Sequence, residues 1–252
     1  MHIRTKKWAR PELQACPFYE PDGEEKKGRW REAFARPELP LHLEMGCGKG
    51  VSTAQMVAAN PDINYAVVDI SPDVLGDARR NLVRACGEHP GNVWILRADI
   101  CLIDRYFDRR DGAERIYISF CNPWTERPKH EKRRLTHPRQ LVQYRRMLLP
   151  GGEVWLKTDD DRLFEDSLAY FLLCGFEIAY RTGDLRADGF QPNYISEHEQ
   201  KYMDMGVPIK FAIFRMTDRE PDFDPTRFRL TPGLKKRMLD AAFCDQENST
   251  LS

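Results

Sequence analysis

The 252-residue sequence predicts an α/β fold: a doubly wound, mostly parallel sheet of six or seven strands, with an antiparallel strand near the edge. Three observations carry this reading. Short apolar runs alternate with helical patterns from about residue 41 to 182, as crossover connections require. A glycine-rich loop closes the first run and opens a helix. A late apolar run follows Gly206-Val207-Pro208 closely enough to return antiparallel.

In chain order, residues 1 to 35 are polar and lack a continuous period. They read as a basic arm, with Arg4, Lys6, Lys7 and Arg10 and no acid in the first ten positions, and with Trp8 and Trp30 as its docking points. The strand candidates follow: Leu41 to Met45, Tyr65 to Ile70, Val93 to Leu96, Ile116 to Phe120, Glu153 to Leu156, Glu177 to Tyr180, and finally Ile209 to Met216. Leu163-Phe164, Ser167-Leu168 and Phe171-Leu172 recur at helical spacing, with Gly175 as the cap. After Met216 come Pro221, Pro225 and Pro232, then a short helix around Leu234 to Phe243.

Lysine plus arginine equals aspartate plus glutamate at 39 each, so overall charge advertises neither nucleic acid nor membrane. Any electrostatic attraction must come from local clustering. Between Arg127 and Arg146 stand eight Lys or Arg against one acid, Glu131. Seven cysteines without a C-x-x-C pair or zinc-like spacing fit a reducing, cytoplasmic compartment and no metal. No run approaches the roughly 18 apolar residues of a membrane span, so the chain is read as soluble.

The loop Glu44-Met45-Gly46-Cys47-Gly48-Lys49-Gly50 is a nucleoside-site candidate. A Walker loop needs Ser or Thr after its lysine, and Gly50 stands there; a dinucleotide loop prefers G-x-G-x-x-G. Glu44 would repel a pyrophosphate but suits a positively charged amino-acid cofactor such as S-adenosylmethionine. Asp69 lies 23 residues after Gly46, at the second strand's end, where a carboxylate accepts ribose hydroxyls. Asp99, just past the third strand, could meet an adenine amino group. The competing reading is a structural strand-to-helix turn.

Phe120-Cys121-Asn122-Pro123-Trp124 ends the fourth strand and runs into His130-Glu131-Lys132-Arg133-Arg134-Leu135. Asn-Pro is a common turn starter, and a cation run often covers a solvated face, yet the same cations neutralise the phosphates of a polyanion. Ser196-x-x-Glu199 reads equally as a capping box or a ligand contact. Thr158 or Asp159 reads as the cap of the helix after the fifth strand.

Taken together these motifs resemble the tRNA (guanine-N7-)-methyltransferases, whose pattern after the fourth strand is close to F-P-D-P-W-x-K-x-R-H-x-K-R-R-L. Further matches lie at Arg4 to Trp8, Glu44 to Gly50, Lys157-Thr158-Asp159, Leu163-Phe164-Glu165 and Ser196 to Glu199, so the resemblance spans roughly residues 3 to 215. It implies a Rossmann-like class I methyltransferase domain over 36–216, between the arm (1–35) and a carboxyl-terminal extension (217–252). It implies that Glu44, Gly46, Gly48, Asp69, Asp99 and Asn122 hold S-adenosylmethionine. It also implies that Lys129, Lys132, Arg133, Arg134, Asp159, Ser196, Glu197 and Glu199 meet the tRNA. Two departures stand out. Asn122 occupies the catalytic aspartate's place, and one inserted residue puts the family lysine on Glu126 or on Lys129, of which only Lys129 preserves the charge.

The expected activity is methyl transfer from S-adenosylmethionine to N7 of a guanosine in the variable loop of tRNA. Guanine N7 has a lone pair and no proton, so Asn122 is expected to slow transfer rather than abolish it. The alternatives are a catalytically impaired RNA-binding protein with the same fold and, more remotely, a nicotinamide-dependent oxidoreductase.

Overall fold

The computed structural model describes residues 5–249; Arg4, expected in the basic arm, lies outside them. Helix α1 (Ala9–Gln14) is followed by the two-residue strand β1 (Tyr19–Glu20). The central run is β2 (Leu41–Met45), α2 (Val51–Ala59), β3 (Asn64–Asp69), α3 (Pro72–Cys86), β4 (Val93–Arg97), β5 (Ala113–Ser119), α4 (Pro138–Met147) and β6 (Leu148–Thr158). Then come α5 (Asp161–Leu173), β7 (Phe176–Thr182), α6 (Leu185–Asp188), α7 (Glu197–Asp204), β8 (Lys210–Met216) and α8 (Pro232–Ser249).

All seven predicted strands are present, and β1 makes an eighth; the sheet order is β1-β4-β3-β2-β5-β6-β8-β7. The first six of these are parallel, whereas β8 runs antiparallel to both β6 and β7. Chain order runs one way through β2, β3 and β4, then reverses through β5 and β6. That leaves a topological switch point between β2 and β5, where the carboxyl ends of open α/β sheets bind ligands.

Strand alternation assigns the two faces. Leu41, Leu43 and Met45 join Ile116, Ile118, Leu141, Tyr144, Leu168 and Phe171 on the side of α4 and α5. Tyr65, Val67, Val93 and Ile95 face Leu13, Val57, Leu75 and Leu82 from α1, α2 and α3. Burial on both faces makes these strands apolar almost throughout, which is why they were readable. Trp30 is fully buried, stacks on Phe107 at 5.2 Å and donates its indole N–H to the Tyr106 carbonyl at 2.8 Å. Among the described residues no helix is long and apolar enough to cross a membrane, and no cluster of metal-ligating side chains occurs.

Candidate active site

The glycine loop is shaped by the backbone. Gly46, Gly48 and Gly50 have φ of 82°, 54° and 66°, in the left-handed region that side chains rarely enter. A Cβ on Gly50 would lie 2.8 Å from that of Ala78, so glycine also lets α2 approach α3. The Gly46 and Cys47 N–H groups donate to the Val68 carbonyl at 2.8 and 3.1 Å, and the Gly48 N–H donates to Asp69 Oδ2 at 3.2 Å. Asp69 Oδ1 accepts the Ser71 N–H at 2.9 Å. Burial raises the Asp69 pKa, with the Ser71 and Gly48 bonds acting against it. The loop and the acid therefore hold each other before any ligand arrives.

Glu44 points from β2 into the same edge, only 3% exposed, and takes a hydrogen bond from the Thr53 hydroxyl on α2. Burial pushes its carboxyl up to about 7, against the downward pull of Thr53 and Lys157. It lines a small cavity of about 40 Å³ with Tyr117, Ser119, Trp155, Lys157 and Tyr194. Asp99, exposed after β4, accepts the Cys101 N–H at 2.9 Å. Glu44 near the end of β2, Asp69 at the end of β3 and Asp99 two residues past β4 thus put acid at the same ends of three neighbouring strands, and the loop's cation, Lys49, is engaged by Glu197 at 2.6 Å.

Across the switch point, Phe120 and Trp124 have φ of 52° and 48°, the only left-handed non-glycine residues among those described. Such backbone costs of order 1–3 kcal/mol per residue and persists only where its surroundings impose it. Asn122 Oδ1 accepts the Trp124 N–H at 3.0 Å, so the turn-starter reading holds. The Phe120 N–H donates to the Lys157 carbonyl at 2.9 Å, and Arg134 Nε donates to the Pro123 carbonyl at 2.6 Å. The Arg133 guanidinium lies 5.2 Å from the centre of the Trp124 ring.

The basic block divides. Arg127, Lys129, Lys132, Arg133 and Arg139 are exposed. Arg145 is buried and bonds the Gly175 carbonyl and Glu220. Arg134, expected to meet substrate, is fully buried, with Nη1 on Asp166 at 2.8 Å. A guanidinium held there presents nothing to an RNA; it fastens the turn instead. Glu126 and Lys129 are both exposed, so either side chain is accessible.

Asp159, at the end of β6, faces His198 Nε2 at 3.1 Å, and the His198 ring lies 4.8 Å from Phe120. The helix cap expected at Thr158 or Asp159 falls on Asp160, whose carboxylate accepts the Leu163 N–H. Ser196 caps α7 by accepting the Glu199 N–H at 3.0 Å. The reciprocal half of a capping box is missing, because Glu199, 1% exposed, receives Lys157 Nζ at 3.1 Å and Asn193 Nδ2 at 2.9 Å. Burial lowers the Lys157 pKa, and Glu199 works against that. The sequence motifs include Lys157 and His198 without giving either side chain a role of its own, and they leave out Thr53 and Asn193. A lysine directly after Val154-Trp155-Leu156 in β6 was the available signal.

A family model described as "Putative methyltransferase" matches residues 38–212, which include Glu44 through Glu199. The tRNA (guanine-N(7)-)-methyltransferase of Clostridium perfringens strain SM101 is 49% identical over 216 residues, covering 84% of this chain and 98% of that one. Its counterpart in Ruminiclostridium cellulolyticum is 47% identical over 217 residues, covering 84% and 91%. The chain belongs to the tRNA (guanine-N(7)-)-methyltransferase family. Solved structures agree on the fold. The 16S rRNA methyltransferase KamB superposes with a TM-score of 0.53 at 14% identity, covering 79% of this chain and 95% of that one. A 16S rRNA (adenine(1408)-N(1))-methyltransferase of Catenulisporales acidiphilia, solved with its cosubstrate SAM, also gives 0.53, at 13% identity, covering 81% and 95%. Within the family's motifs, then, Glu44, Asp69, Asn122 and Asp159 share one edge of the sheet, while Arg134 and Glu199 lie inside the protein and support that edge.

Proposed function

We propose that this chain transfers the methyl group of S-adenosylmethionine to N7 of a guanosine in tRNA, in the variable loop, within the cytoplasm. The observation that carries the reading is the 49% identity across almost the whole of a relative bearing that activity.

The residues present fit the cofactor. An acid-ended strand edge with a glycine turn suits a cationic amino acid joined to a nucleoside, and it suits a pyrophosphate poorly. Glu44 would neutralise the ammonium group, Asp69 would accept the ribose hydroxyls, and Asp99 would meet the adenine amino group, with Gly46 and Gly48 leaving the backbone open to approach. Space beside Gly48 supports this: a Cβ there would meet nothing within 4 Å. S-adenosylmethionine supplies a methyl group on a positively charged sulfur.

Guanine N7 attacks through its lone pair. The nitrogen–carbon bond forms as the carbon–sulfur bond breaks, and positive charge passes from sulfur to the purine, so no residue has to remove a proton. The protein aligns the reactants and stabilises that charge. Asn122 preserves the turn through its bond to the Trp124 N–H and offers a carbonyl dipole in place of a full charge. This supports a slower enzyme over the impaired RNA-binding reading. Asp159 and the Ser196–Glu199 cap segment stand opposite the turn, where the guanosine would enter. Lys129, Lys132 and Arg133 are exposed on the turn's outer side, where the RNA backbone would be gripped. Incubation with methyl-labelled S-adenosylmethionine and tRNA, followed by nucleoside mapping, should place label on 7-methylguanosine. Label on another base, or on no RNA, refutes the proposal.

A further inference from the structure

The carboxyl-terminal extension reaches the active-site turn through one aspartate. Asp166 lies on α5 and is buried. Its Oδ2 accepts Arg134 Nη1 at 2.8 Å, and its Oδ1 accepts Lys235 Nζ of α8 at 2.9 Å. Arg134 then bonds the carbonyl of Pro123, inside the turn that carries Asn122 and Trp124. Lys235 also pairs with Glu165 at 2.8 Å. The family model ends at residue 212, so Lys235 stands outside the segment it matches.

We propose that α8 braces the active-site turn, with Lys235 a positioning residue that acts through Asp166 and Arg134. This rests on the reading of the turn as a wall of the methyl-transfer site. Three observations carry it. Arg134 is fully buried and its Nη2 has no hydrogen-bond partner, Glu131 being 3.9 Å away, so Asp166 is its principal counter-charge. With Lys235 on one oxygen and Arg134 on the other, the Asp166 carboxylate is fixed in rotation. Without Lys235, Oδ1 is released and the carboxylate can turn toward Arg162, whose Nε is 3.7 Å from Oδ2. The turn it stabilises contains two left-handed non-glycine residues, a conformation that relaxes when its supports loosen.

The test uses the full-length chain and the variants Lys235→Met, Glu165→Gln and Asp166→Asn. Glu165→Gln removes the other partner of Lys235 and leaves the link to Arg134 intact. Lys235→Met should lower kcat on tRNA by about threefold to tenfold, with the KM for S-adenosylmethionine unchanged and amide hydrogen exchange at residues 120–124 accelerated. Glu165→Gln should change neither. In the Asp166→Asn background, Lys235→Met should add nothing further. Equal losses from Lys235→Met and Glu165→Gln, or unaltered exchange at residues 120–124 in Lys235→Met, would overturn the brace. If Asp166→Asn does not fold, the comparison of the two other variants still decides. If the unmodified protein transfers no methyl group, the proposed activity fails on its own, and hydrogen exchange still tests the brace.

Discussion

On the β2–β3–β4 side, the edge of the sheet is made by backbone. Three left-handed glycines, amides donated to the Val68 carbonyl, and Asp69 holding the Gly48 and Ser71 N–H groups all lie within about one strand-helix-strand unit. On the β5–β6 side, the edge is held by charge. Arg134 fastens the turn from inside, and Lys157 with Glu199 ties β6 to α7. The first arrangement is local and self-supporting, whereas the second depends on pairs of residues 32 and 42 positions apart in the chain. The proposed cofactor and RNA sides should therefore fail separately, and under different conditions.

The largest separation is expected from Arg134→Met. Removing one partner of a buried pair leaves Asp166 without its main guanidinium, at a cost of about 3–5 kcal/mol. Urea denaturation measures it, and a loss below about 1 kcal/mol would break the comparison. In the protein that remains folded, affinity for S-adenosylmethionine should fall less than kcat, because of the proposed cofactor contacts only Asn122 sits on the turn that Arg134 holds.

Next in size is replacement of Lys129, Lys132 and Arg133 together by alanine. Each cation that contacts a phosphate adds about 0.7 to 0.9 to the slope of log affinity against log salt. The triple variant should bind tRNA at least about tenfold more weakly at physiological salt and with a visibly shallower slope. Filter binding over a salt series checks this, and an unchanged slope would remove these residues from the RNA interface.

Glu44 sharpens the cofactor side. Its folded-state pKa is raised from 4.5 to about 7, so between these values the native protein binds the extra proton and stability falls as pH rises. Binding of a cationic ligand has the opposite sign, since it favours the ionised carboxylate. Affinity for S-adenosylmethionine should rise by roughly tenfold from about pH 6 to pH 8, and Glu44→Gln should flatten both trends. Calorimetric titration across that range decides it. The smallest effect is Asn122→Asp, which restores a full charge without altering the Asx turn and should raise kcat about threefold to tenfold. A fall in single-turnover rate would show that the amide is the better group in this turn.

Legibility in the sequence followed the range of the interactions. The strands β2 to β8, the helix α5 and the glycine loop were readable because each is written in consecutive residues by periodicity or turn chemistry. Strand β1 was not, since Tyr19 and Glu20 join the sheet only by backbone bonding to β4 and carry no pattern of their own. The full length of β6 was hidden as well: Pro150, Gly151 and Gly152 interrupt its apolar run, and its pairing with β5 shifts register nearby. The buried ion pairs of Arg134 and Glu199 were hidden for the same reason. A charged residue reads as surface until its distant partner is known.

The sequence by itself determined the doubly wound sheet, the acid-ended edge with its glycine turn, and membership in a family that modifies tRNA, because those properties are encoded in short-range patterns and motif order. Only the tertiary structure decided which charges face outward, that Asp160 rather than Asp159 caps α5, and that α8 reaches the turn at residues 120–124 through Asp166. Ion pairing inside a protein depends on which side chains the fold brings within about 3 Å and away from water, a property of packing that no single segment of chain contains.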